Sequence, residues 1–162
     1  MLCAILVSMQ VTLAHVGAQA RTKDAYDGLV RDYLKHCVRV ARCGMEAFRS
    51  EKALLDWIGR QKGRTEPVVL LLDGRGRQMT SEALAEWLRT RRDEGTQHVV
   101  FAVGPADGWS EEACAEAKRR GGMLSLGPMT LAHQLARLVM AEQLYRACTI
   151  LTGHPYHRGG GQ

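Results

Sequence analysis

What most constrains this 162-residue chain is its alternation of short β-rich apolar runs with stretches of helical periodicity. Residues 68–72 and 98–103 are uninterrupted or nearly uninterrupted apolar runs, Val-Val-Leu-Leu-Leu and His-Val-Val-Phe-Ala-Val. Runs without polar alternation predict strands buried on both faces, as parallel sheets require. Helical stripes lie around them. Tyr26, Leu29, Val30, Tyr33 and Leu34 share one face of a helix predicted over 23–37, and Ala83, Leu84, Trp87 and Leu88 share a face of another. The order predicts one α/β domain with a mainly parallel sheet and helices on both faces. At this length, with 46% apolar residues, a core forms without disulfide or metal staples.

The remaining elements follow from periodicity and caps. Residues 10–16 predict a first strand ending at Gly17, and 38–41 a short second one. Ser50 caps a helix carrying Ala53, Leu54, Trp57 and Ile58; Thr80 or Ser81 caps the next; Ser110 caps a third with Glu111 and Glu112 beside its amide end. A short strand is expected at 123–126. The final helix, 131–149, is apolar on most sides, more than one sheet face needs, which points to self-association.

In open parallel sheets ligands bind in the loops beyond the carboxyl ends of strands. Three such loops stand out, at 73–76, 104–108 and 127–130. Gly104-Pro-Ala-Asp-Gly108 matches neither the dinucleotide fingerprint nor a Walker A loop. Its glycines either admit a ligand close to the backbone or simply turn the chain. Residues 127–131 offer backbone groups and apolar side chains suited to a flat heterocycle. The segment Gly153-His-Pro-Tyr-His-Arg158 gathers imidazoles, a phenol and a guanidinium able to stack on a base, meet phosphate or move a proton.

Charge is unevenly spread. Residues 1–116 carry 16 basic and 16 acidic side chains, whereas 117–162 carry six basic ones (Lys118, Arg119, Arg120, Arg137, Arg146, Arg158) against Glu142. The +5 net charge therefore falls in the last segment. Two readings stand open, an anionic partner such as nucleic acid, or a solvated face. The five cysteines are scattered without a CxxC pair, which argues against a disulfide framework or a zinc site and for a reducing cytoplasm. Residues 1–20 superficially resemble a secretory signal but lack a basic start, and no run reaches the roughly 18 apolar residues of a membrane span.

Five stretches in order carry a resemblance: Leu72-Asp-Gly-Arg-Gly76 with Thr80-Ser-Glu-Ala-Leu-Ala85; Val103-Gly-Pro-Ala-Asp-Gly108; Met129-Thr-Leu-Ala-His133; Ala141-Glu-Gln-Leu-Tyr-Arg-Ala147; and His154-Pro-Tyr-His157. Together, over about 9–158, they resemble the SPOUT-class RNA methyltransferases, and within them the RlmH family of large-subunit ribosomal RNA pseudouridine N3-methyltransferases. Met9 resembles the family's own start, so 1–8 reads as an extension or misassigned start, 9–158 as a single domain and 159–162 as a flexible tail. Pro105 departs from the family, where a second glycine is usual, and 42–62 matches poorly.

The resemblance implies a SPOUT fold with a C-terminal trefoil knot, S-adenosylmethionine as cofactor, no metal, and a cytoplasmic homodimer in which both chains build each site. It implies ribosomal RNA, within the ribosome, as partner. Leu72, Gly104, Leu126, Gly127, Pro128, Met129, Thr130 and Leu131 are the expected cofactor residues. His133, Arg137, Tyr156, His157 and Arg158 are the candidates for removing the N3 proton or stabilising the resulting anion, while Glu142 and Tyr145 are expected to hold the last helix and the dimer. A SPOUT enzyme acting on transfer RNA and a non-catalytic RNA-binding dimer are the alternatives.

Overall fold

A computed structural model of the chain describes residues 9–17, 24–61, 63 and 65–158. The expectations for 1–8 and 159–162 lie outside the described residues. Five strands, β1 (Gln10–Val16), β2 (Arg42–Phe48), β3 (Val68–Gln78), β4 (His98–Val103) and β5 (Gly122–Ser125), form one sheet in the order β2-β1-β4-β3-β5. Every adjacent pair is parallel. Helices α1 (Ala25–Lys35), α2 (Glu51–Arg60), α3 (Ser81–Asp93) and α4 (Glu111–Arg120) make the four connections, α5 (His133–Thr152) follows β5, and a 3-10 turn, Pro155–Arg158, follows α5.

Strand pleating divides the core in two. Val11, Leu13, Leu70, Val99, Phe101 and Val103 point to one face and bury against Val30 and Leu34 of α1, Leu84 and Leu88 of α3, and Met140, Ala141, Leu144 and Ala147 of α5. Their neighbours Ala14, Val16, Val69, Leu71, Val100 and Ala102 point to the other, against Leu54 and Ile58 of α2 and Ala113 and Ala117 of α4. Period-2 alternation in β1, β4 and the first half of β3 thus serves two largely apolar faces, with Thr12, His15 and His98 as buried polar exceptions.

The helix starts form as their sequences dictate. Ser50, Thr80 and Ser110 each accept a hydrogen bond from the amide three residues on, at 3.0–3.1 Å. Gly153 adopts the left-handed conformation (φ +71°) and stops α5.

Several boundaries differ from the sequence expectation: the first helix spans Ala25–Lys35 rather than 23–37, and the last spans His133–Thr152 rather than 131–149. Residues 38–41 are not a strand: the backbone there turns, with Val40 N and Ala41 N donating to Cys37 O, and the second strand begins at Arg42. β2 is a half-exposed edge strand containing Gly44, and its weak apolar signal hides it. Segment 73–76 is not a free loop but a bulge within β3, because β5 pairs with Leu72 on one side and Arg77 on the other. The fifth strand ends one residue early, at Ser125.

Phe101, fully buried between β1 and the α3 side of the sheet, is expected to cost about 3–5 kcal/mol when replaced by alanine. The Thr80→Ala cap deletion should cost about 1 kcal/mol. Urea unfolding of both variants checks the ranking.

Candidate functional site

Parallel strands deliver all their carboxyl ends to one edge, and there the bulged segment 73–76 within β3 and the loops after β4 and β5 come together. They surround a single cavity of about 300 Å³. All eight expected cofactor residues line it: Leu72, Gly104 and the continuous run from Leu126 to Leu131. Asp73, Gly74, Pro105, Ala106, Gly108, Trp109, His133 and Ala136 complete the wall. A volume of this size, with mostly main-chain and apolar walls, suits a small flat ligand held by few polar contacts.

Trp109, missed from the sequence, fixes the loops to one another. Its indole Nε1 donates to Leu72 O at 3.0 Å, tying the loop after β4 to the end of β3. The ring lies so close to Gly104 that a β-carbon there would stand 2.7 Å from it. Glycine at 104 is therefore a packing requirement. On the opposite wall, Ser125 Oγ accepts from Gly127 N (3.1 Å), and the same hydroxyl donates to Gly127 O (3.0 Å), holding the turn at φ +126° where glycine is favoured.

His133 opens α5 at the cavity wall. Its Nε2 is buried without a hydrogen-bond partner among the described residues. Burial first, and the Arg137 charge second, hold this imidazole below its usual pKa, against an opposing main-chain interaction with Val16.

Arg137 lies behind this wall rather than in it. Its side chain is 2% exposed; Nη1 donates to Asp27 at 2.5 Å and Nη2 to Asp24 at 3.1 Å. Nη1 also lies 3.2 Å from His15 Nε2, and the His15 and His133 rings meet edge to face at 5.5 Å. Two carboxylates from α1 thus neutralise a buried guanidinium, and the arrangement anchors α5 to α1 and β1.

The tail residues lie elsewhere. Tyr156 packs on the flank of α5, its ring 4.6 Å from that of Tyr145 and beneath the Arg146 guanidinium at 5.1 Å. Its hydroxyl donates to Glu142 at 3.2 Å. Burial, with hydrogen bonds to Tyr33 and Glu142 adding to it, pushes its pKa up to about 12. Arg158 is exposed, and neither it nor Tyr156 lines the cavity of its own chain. His157 belongs to the 3-10 turn, and its side chain lies outside the described residues. Glu142 serves as the hub that binds Arg146, Gln143 and Tyr156.

The basic surplus of 117–162 does not survive folding as a patch. Arg119 and Arg120 pair with Glu116 and with Glu66, Arg137 with Asp24 and Asp27, and Arg146 with Glu142. Several of these acids come from the balanced segment upstream. Among the described residues no group of three or more His, Cys, Asp or Glu is arranged to hold a metal ion, and no helix is long and apolar enough to cross a membrane.

Two outcomes follow from the buried charges. Arg137→Ala strands two half-buried carboxylates and should cost about 3–5 kcal/mol in urea unfolding. His15, lowered from 6.5 to about 4 by burial first and Arg137 second, is neutral when folded and protonates more readily when unfolded. Stability is then full above about pH 6.5 and is lost as pH falls toward 4; His15→Gln should flatten that decline.

The sequence profile described as "Predicted SPOUT methyltransferase" matches residues 9–157. The protein named ribosomal RNA large subunit methyltransferase H from Koribacter versatilis is 51% identical over 141 residues, covering 86% of this chain and 93% of that one. Its namesake from Geotalea daltonii is 48% identical over 137 residues, covering 83% and 86%. A solved ribosomal RNA small subunit methyltransferase E from Neisseria gonorrhoeae, bound to S-adenosyl methionine, shares 17% identity at a TM-score of 0.49, over 88% of this chain and 66% of that one. With a profile spanning nearly all of the described fold and a relative at half identity along most of its length, the chain belongs to the SPOUT methyltransferase family.

Proposed function

We propose that this chain methylates N3 of a pseudouridine in large-subunit ribosomal RNA, with S-adenosylmethionine as donor. The observation that carries the reading is a cavity at the strand ends built from backbone and apolar groups, with the His133 imidazole in its wall. Relatives named as large-subunit ribosomal RNA methyltransferases support the substrate class.

The cavity suits the donor. Gly104 and Gly127 leave main chain bare, Leu72, Leu126, Met129 and Leu131 offer apolar surface for an adenine ring, and the turn 127–130 presents amides and carbonyls to its edge. The bound donor supplies a methyl group on a positively charged sulfur. Trp109 and the Ser125–Gly127 turn keep the walls in register, so donor and acceptor meet in a fixed geometry. N3 carries a proton that must leave. His133 Nε2 takes it, and the Arg137 charge behind the ring keeps the imidazole free to do so. Tyr156, held protonated, serves as a hydrogen-bond donor rather than as a base.

The chain works as a homodimer, with a trefoil knot in its C-terminal segment. Tyr156 and Arg158 do not line the cavity of their own chain, whereas Met129 (82% exposed) and Leu131 in its wall, and Leu135 on α5, leave apolar side chains uncovered. A second copy seated on those side chains brings its tail to this cavity, and the tail's imidazoles and guanidinium then meet the RNA. A ribosomal substrate places the enzyme in the cytoplasm.

Calorimetry should show binding of S-adenosylmethionine or its homocysteine product; absence of heat overturns the reading. His133→Asn should keep that binding and lower methyl transfer to ribosomes about 100-fold or more. In the parent, activity falls on the acid side, as His133 protonates. A chain stopped after Gly153 should bind donor and transfer nothing. Labelled donor offered to ribosomes, free large-subunit RNA and transfer RNA separates the substrates, and Leu135→Glu should yield monomers by light scattering.

A further inference from the structure

Against α5, two neighbouring cysteines, Cys37 and Cys43, meet a third from far along the chain, Cys148. Cys37 follows the end of α1, Cys43 lies on β2 and Cys148 on α5; all are free thiols, and they pack together with Val40 under Tyr145 and Leu151. Cys37 and Cys148 belong to one buried cluster, and Cys43 packs against it. The fully buried member is Cys37, whose Sγ donates to Tyr33 O at 3.7 Å. It is flanked by a second cavity of about 200 Å³ whose wall includes Cys37, Cys148, His36, Tyr145 and His154, but not Cys43. The geometry points to Cys37 and Cys148 as a modification site, a thiol pair that a hydroperoxide converts to an intramolecular disulfide bridging α1 to α5.

The chemistry balances within the trio. Hydrogen bonds from Cys148 first and Cys43 second stabilise the Cys37 thiolate against the cost of burial, while the same contacts and burial push the Cys43 thiol up. Cys148 is also raised, chiefly through its bond with Cys37. The Cys37 thiolate attacks one peroxide oxygen, the O–O bond breaks, and the other oxygen leaves as water after taking a proton; Cys37 becomes a sulfenic acid and the peroxide is reduced. Cys148 sulfur then attacks the Cys37 sulfur, the S–O bond breaks, and the hydroxide departs as water with the Cys148 proton. Two thiols and one hydrogen peroxide yield one disulfide and two waters. Cys43 is held in β2 by main-chain pairing with β1 and stays outside the cavity wall, so Cys148 is the resolving partner.

None of this depends on the methyltransferase reading. The test uses the full chain carrying Cys3→Ser and Cys114→Ser, treated with hydrogen peroxide while circular dichroism monitors the fold. Titratable thiols should drop from three to one with the fold retained, return to three on adding dithiothreitol, and peptide mapping should find Cys37 joined to Cys148. Adding Cys43→Ser should leave that disulfide forming; adding Cys148→Ala should abolish it and leave Cys37 as a sulfenic acid trapped by dimedone. Retention of all three thiols, a disulfide that includes Cys43, or reaction only once the circular dichroism signal is lost overturns the proposal.

Discussion

A wholly parallel sheet obliges every connection to travel back across a face of the sheet, and that obligation organises the rest of the molecule. Four helices make the returns and α5 follows the last strand; together they cover both faces, and all strand ends of one kind emerge at one edge. The three segments around the cavity share a location for this reason alone. Trp109 and Ser125 then turn proximity into a defined shape, through one indole hydrogen bond and one hydroxyl-braced turn.

Most of this was legible in the chain because burial on both faces leaves a strong mark. β1 and β4 were readable to the residue, and the caps at Ser50 and Ser110 were readable from side-chain chemistry. The misread parts are those where the signal is physically weak. β2 is an edge strand with alternate exposure and a glycine, so its composition looks like a loop. Segment 73–76 holds turn residues yet stays in the ladder, because Gly76 lets the backbone of Leu124 approach more closely than any side chain would permit.

The site shows the same division. Backbone-rich loops were visible as glycines and prolines after apolar runs, and the resemblance pointed to eight residues that share one cavity. Trp109 was not visible, since its role depends on the carbonyl of a residue on another strand. Arg137 was legible as a positive charge and, through the resemblance, as a candidate at the reacting centre, whereas the structure buries it behind the cavity wall. What neutralises it comes from Asp24 and Asp27, more than a hundred positions upstream, which no local charge count registers. The same holds for Arg119 and Arg120 against Glu66, and it is why a segment that looks strongly basic on paper presents much less free charge when folded.

The strand order also has a bearing on how the molecule comes into being. β1 lies between β2 and β4, with residue 10 beside residue 42 on one edge and beside residue 98 on the other. During synthesis the first ladder can close early, whereas the second waits until β4 has left the exit tunnel. Until then an apolar strand, destined for complete burial, keeps one row of amides and carbonyls open. Pairings of such wide sequence separation fold slowly, and the half-made sheet depends on α1 and α2 to cover it in the interval.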